Sequence, residues 1–159
     1  MTNFGALLRR LAEGHVDFIV VGGLAAAMHG AARATYHVDV VYSRTPENIA
    51  RLVETLTPLQ PYQRGAPPGL PFTWDAATVK RGLNFTLKTS LGDLDLLGEV
   101  TYAGTYEALL DDTEFVSAFG IECRCLTLER LIRMKRAAGS PKDLEALAEL
   151  EAIAEERPQ

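Results

Sequence analysis

The chain has little sulfur, little aromatic surface and no surplus of positive charge. Among its 159 residues are two cysteines, one tryptophan and an aromatic fraction of 8%. Two thiols supply too few ligands for a structural zinc site. Cys123 and Cys125 stand at i and i+2, on one face of an expected strand, and read as small packing residues of a reducing compartment rather than a disulfide. No apolar run approaches the length of a membrane span, and the opening MTNFGALLRR has no signal-peptide core. The expectation is a cytoplasmic protein with no membrane partner. The net charge of −5 argues against a general nucleic-acid-binding surface. The one dense basic stretch is Arg124, Arg130, Arg133, Lys135 and Arg136. Repeats and low-complexity segments are absent. What remains is 47% hydrophobic and 23% charged, enough for one domain over residues 1–159 with a real core.

Periodicity gives the elements. Residues 3–13 carry Phe4, Leu7, Leu8 and Leu11 at helical spacing, and Gly14 stops them. Residues 17–21 form a continuous apolar strand of the kind covered on both faces. Helix is expected over 24–31. A second strand over 37–42 places His37, Asp39 and Val41 on one face and Val38, Val40 and Tyr42 on the other. Ser43 or Thr45 caps a helix with Pro46 at its start and Ile49, Leu52, Val53 and Leu56 as its core stripe. Residues 57–82, with five prolines, three glycines and Trp74, read as a long irregular connection of the lid or binding-loop kind. A hairpin is expected from 83–89 and 93–97 around Leu91-Gly92. A short helix over 105–110, strands over 113–117 and 121–126, a helix over 127–138 and a last helix opened by Ser140-Pro141 complete the chain. The pattern is α/β (α+β): a mixed twisted sheet flanked by helices, with a C-terminal helical pair.

Chemistry concentrates in FIVVGGLAAAMHGAARATYHVDVV, residues 18–41. A strand ending in Gly22-Gly23 at a helix start leaves backbone N–H groups for a phosphate. Asp39, between Val38 and Val40, is costly to bury unless it meets a cation or solvent. Asp93 and Asp95 repeat that pattern in DLDLL, sharing a face opposite Leu94 and Leu96.

These residues resemble the nucleotidyltransferase fold of DNA polymerase beta-like enzymes, in the small bacterial branch that includes the AbiEii and MNT antiphage and toxin–antitoxin proteins. In that family a Gly-Gly or Gly-Ser pair precedes Asp-x-Asp or Asp-x-Glu. Here His37 stands where the first acid belongs and Asp39 supplies the second. The stretch ARAT before the strand and the closing LTLERLIRMKRAAGSPKDLEALAEL are also similar. The resemblance implies a minimal nucleotidyltransferase fold with an NTP substrate and Mg²⁺ or Mn²⁺ as cofactor. It implies Asp39, Asp95 and His37 as catalytic and metal residues, Asp95 being the third acid. Gly22, Gly23, Arg33, Lys135 and Lys142 would hold the nucleotide. The activity implied is transfer of NMP to a hydroxyl on RNA or protein, with a toxin–antitoxin or phage-defence role and a cognate toxin or antitoxin partner. Imidazole suits Mn²⁺, Zn²⁺ or Fe²⁺ better than Mg²⁺. Three readings of His37 stay open: a weakened site, a softer metal, or Asp93 as replacement ligand. The alternative is an inactive nucleotide- or partner-binding module.

Overall fold

A computed structural model describes residues 1–158. In chain order the elements are α1 (Phe4–Glu13), β1 (Phe18–Val21), α2 (Gly22–Met28), β2 (His37–Tyr42), α3 (Pro46–Leu56), β3 (Tyr62–Gln63), α4 (Ala76–Arg81), β4 (Phe85–Thr89), β5 (Gly92–Leu97), β6 (Glu99–Val100), β7 (Gly104–Thr105), α5 (Tyr106–Leu109), β8 (Thr113–Ala118), β9 (Ile121–Leu126), α6 (Leu128–Ala138) and α7 (Pro141–Glu156). A mixed seven-stranded sheet runs β3-β4-β5-β2-β1-β9-β8, and β6 and β7 pair apart from it. β1 lies antiparallel to β2 and parallel to β9, while β2 and β5 are parallel.

Local chemistry explains the boundaries. Asn3 caps α1 by accepting from Ala6 N–H at 3.0 Å. Thr45, not Ser43, caps α3, with Pro46 at its first position. Gly139, at φ +67°, closes α6, and a Ser140–Asp143 capping box opens α7. All four residues of β1 are buried, as are Val38, Val40, Val41 and Tyr42 of β2 and Leu94 and Leu96 of β5. The centre of the sheet is therefore covered on both sides. α1, α3 and α4 pack in sequence as one group, and α2, α6 and α7 as another. The second group is latched by His29, buried at the end of α2. Its Nε2–H donates to the Leu126 carbonyl at 2.7 Å, and Nδ1 accepts from Arg157, beyond α7, at 2.8 Å.

Three expectations need correcting. α2 starts at Gly22 and ends at Met28 rather than spanning 24–31. Its alanines pack close to the sheet from the first turn. Residues 57–82 are not irregular throughout: a 3₁₀ turn, β3 and α4 lie within them. Asp75 caps α4 by accepting from Thr78 N–H at 2.8 Å, and Trp74 Nε1–H is fixed on the Val53 carbonyl at 3.2 Å. The small β6–β7 hairpin was also unexpected, because two-residue strands leave no periodicity to detect.

Candidate active site

Strand register builds the site. In the parallel β2–β5 pair, His37 aligns with Asp93 and Asp39 with Asp95. Aligned residues on neighbouring strands share a face, so this register places Asp39 and Asp95 side by side. The antiparallel β1–β2 pair puts Val21, the last residue of β1, opposite Asp39. The chain then turns through Gly22 directly against that carboxylate.

Gly22 is required twice over. Its φ is +64°, a region L side chains rarely enter, and a Cβ there would overlap the Asp39 carboxylate. Thr35 steadies the other side of the turn. Its Oγ1 donates to the His37 carbonyl at 3.2 Å and stands where a Cβ on Gly23 would reach.

The side-chain atoms of His37, Asp39 and Asp95 converge tightly. His37 Nε2 is 3.1 Å from Asp39 Oδ1 and 3.4 Å from Asp95 Oδ2. One ligand atom from each of the three residues lies within 4.8 Å of the others. The imidazole nitrogen therefore stands between the two carboxylates. Asp39 is 14% exposed and Asp95 18%. Burial, with the hydrogen bond and like charge of Asp95 next, raises the Asp39 carboxyl from 3.8 to about 7, while Arg64 and the Gly23 N–H pull it down.

Arg64 is the residue the sequence did not announce. It follows β3, and its backbone N–H donates to the Thr86 carbonyl at 2.9 Å. Its NH2 group reaches Asp95 Oδ1 at 2.6 Å. Two carboxylates, one imidazole and one guanidinium thus form a compact, internally paired cluster.

The other anticipated residues lie elsewhere. Asp93 aligns with His37 but stays outside the three-residue cluster. Arg33 NH2 pairs with Glu145 of α7 at 3.4 Å, and Lys135 Nζ pairs with Asp143 at 3.3 Å. Lys142 is exposed at the start of α7. The basic run is spent within the fold. Arg130 and Arg133 meet Asp112 at 3.5 and 3.3 Å, Arg136 meets Glu151 at 2.9 Å, and Arg124 stacks over Phe115 at 4.5 Å.

The donor set of two carboxylate oxygens and one imidazole nitrogen suits one divalent cation. His37 Nε2 faces both carboxylates, and an imidazole nitrogen that carries no proton is a metal ligand. An N/O donor set of this kind favours Mn²⁺, Fe²⁺ or Zn²⁺ over Mg²⁺.

The mixed sheet and its flanking helices share the nucleotidyltransferase fold of known structures. The lincosamide antibiotic adenylyltransferase LnuA, in its lincomycin-bound form, superposes with a TM-score of 0.60 at 15% identity, covering 94% of this chain and 95% of that one. A Thermotoga maritima protein assigned as a nucleotidyltransferase gives a TM-score of 0.58 at 16% identity, over 99% and 97%. An antigenic nucleotidyltransferase-like protein from Paracoccidioides brasiliensis gives 0.54 at 14% identity, over 92% and 72%. No protein-family model and no curated protein sequence matches the chain. Among the described residues, no helix is long and apolar enough to cross a membrane.

Proposed function

We propose that the chain is a metal-dependent nucleotidyltransferase that moves NMP from an NTP to an acceptor hydroxyl. The observation that carries this reading is the convergence of Asp39, Asp95 and His37 beside the Gly22 turn. In this reading the three residues hold one divalent cation, which supplies charge stabilisation for the in-line displacement at the α-phosphorus. Gly22-Gly23 borders the triphosphate. Arg33, Lys135 and Lys142 act on it only after leaving the ion pairs or solvent that hold them now. Arg64, now paired with Asp95, would compete with a cation for that carboxylate. The toxin–antitoxin or phage-defence role, with a cognate partner and an RNA or protein acceptor, goes with the motif resemblance to the AbiEii and MNT branch. The likeness to LnuA adds a small-molecule acceptor to the range.

One observation favours a second reading, an inactive nucleotide- or partner-binding module. Arg64 pairs with Asp95, and His37 stands within 3.4 Å of both carboxylates, so groups of the chain itself already occupy the surroundings of the acids. Incubation of the protein with labelled NTPs, Mn²⁺ or Mg²⁺ and a cell extract separates the two. A labelled acceptor that disappears in Asp39→Ala supports transfer; no labelled product with either metal supports the inactive module.

A further inference from the structure

The two edges of the sheet are built differently. At one edge β3 has two residues, and Pro67 and Pro68 follow it closely, so little backbone is left open to another strand. At the other edge β8 runs for six residues, TEFVSA, with no proline, no lysine and one charge. β8 pairs with β9 on one side, and its outward N–H and C=O groups form a template for a further strand. Phe115 is 61% exposed, with the Arg124 guanidinium stacked over its ring at 4.5 Å. On the opposite face of the strand, Val116 joins Leu24, Ala27 and Met28 of α2 around a groove of about 300 Å³.

The sequence of the strand says what fits it. Thr113, Phe115 and Ser117 alternate onto one face. Arg124 meets the first two there, donating to Thr113 Oγ1 at 3.1 Å. In an antiparallel pair, directly opposed residues share a face. A two-fold axis through Phe115 therefore sets Phe115 against Phe115 of a second copy, Thr113 against its Ser117 and Glu114 against its Val116. Aromatic pairs and Thr–Ser pairs are among the cross-strand contacts that stabilise sheets, and in this register no like charges are directly opposed.

Charge points to the same register. Arg9 of α1 is exposed, donates to the Phe119 carbonyl at 2.8 Å and makes no ion pair among the described residues. Asp111, exposed in the 3₁₀ turn that leads into β8, likewise has none. Continued past the strand, the pairing centred on Phe115 sets Phe119 opposite Asp111 of the second copy. Each Arg9 then comes to a carboxylate that is unpaired within its own chain. The contact occurs twice, because a two-fold interface uses the same patch on both sides.

We infer that the protein forms a homodimer by antiparallel pairing of β8 with β8 of a second copy, centred on Phe115 and clamped by Arg9 and Asp111. The seven-stranded sheet continues across the two-fold axis. β9 and β1 separate β8 from β2, so His37, Asp39 and Asp95 lie outside the interface, and the dimer does not depend on what the acid cluster does.

The test is sedimentation of the full chain over about two decades of concentration, where the dimer should grow with concentration. Phe115→Glu, which opposes two carboxylates on the axis, should weaken dimerisation at least about tenfold. Arg9→Asp should weaken it, and adding Asp111→Arg to the same chain should restore it. Thermal melts of each variant confirm folding. Crosslinking reads the register. Both native thiols are buried, so Phe115→Cys supplies the accessible one. Opposed Cα atoms in an antiparallel pair lie about 4.5–5.5 Å apart, within disulfide reach. Mild oxidation should therefore link Phe115→Cys into a covalent dimer and leave Val116→Cys unlinked, its two copies being a diagonal step apart. A monomer at every concentration, a dimer unchanged by Phe115→Glu or by Arg9→Asp, or a crosslink in Val116→Cys but not in Phe115→Cys overturns the inference.

Discussion

Arg64 reaches Asp95 at 2.6 Å from a segment outside the central strands, and so flanks an acid cluster that His37 Nε2 approaches to 3.4 Å of the same carboxyl group. The guanidinium and a divalent cation compete for the same carboxylate. Arg64→Ala should therefore raise Mn²⁺ affinity severalfold in a calorimetric titration. Without metal it should lower stability by about 1–2 kcal/mol, a discounted value because the pair is partly exposed. Tighter metal binding together with a lower metal-free Tm is the expected pair of results.

The wild-type site should favour Mn²⁺ over Mg²⁺, because a site with one imidazole and two carboxylates suits the softer ion. His37→Asp should narrow that preference and increase Mg²⁺-dependent nucleotide binding. The same substitution adds a third carboxylate to a crowded cluster. Metal-free stability should fall, and added metal should restore it by mass action. Melts of both proteins with and without each ion check this.

The Asp39 carboxyl, raised from 3.8 to about 7, makes metal-free stability depend on pH with a definite sign. A raised folded pKa means the folded state holds the proton more tightly than the unfolded chain. The contribution is complete below about pH 4 and is lost as pH rises through about 7. Denaturant melts of the metal-free protein should show this component falling over that window, and Asp39→Asn should flatten it. Metal binding runs the other way, strengthening as pH rises, because the cation displaces the proton.

Gly22→Ala should be destabilising through two effects, a left-handed φ of +64° and overlap with the Asp39 carboxylate. The backbone effect alone is about 1 kcal/mol. The overlap moves Asp39, so metal affinity should fall with stability. An alanine at Gly65, where φ is +84° but no atom lies within 4 Å of an added Cβ, isolates the backbone effect.

Burial pushes the Cys125 thiol up to about 12 and raises Cys123 as well. Neither should react with a disulfide reagent near pH 8 in the native protein, and both should react once it is unfolded.

The sequence disclosed most of this architecture because its signals are local. Alternation in HVDVVY and DLDLL placed Asp39 and Asp95 on single faces, and Gly14, Thr45 and Ser140 marked helix ends within a residue or two. It withheld what depends on strand register and distant segments. Nothing around Arg64 indicates that a two-residue strand will carry it to Asp95. The pairing of Arg130 and Arg133 with Asp112 likewise joins segments that periodicity treats separately. α4 had its signals, Asp75 as cap and Gly82 as stop, but they were outweighed by the prolines around them.

The most direct test of the account is calorimetric titration of the protein with ATP in the presence of Mn²⁺, comparing wild type with Asp39→Ala and Asp95→Ala, each shown to be folded by its melt. The account predicts Mn²⁺-dependent binding by the wild type and its loss in both variants. Binding that is unchanged in either variant, or indifferent to Mn²⁺ in the wild type, would contradict a metal-dependent nucleotide site at His37, Asp39 and Asp95.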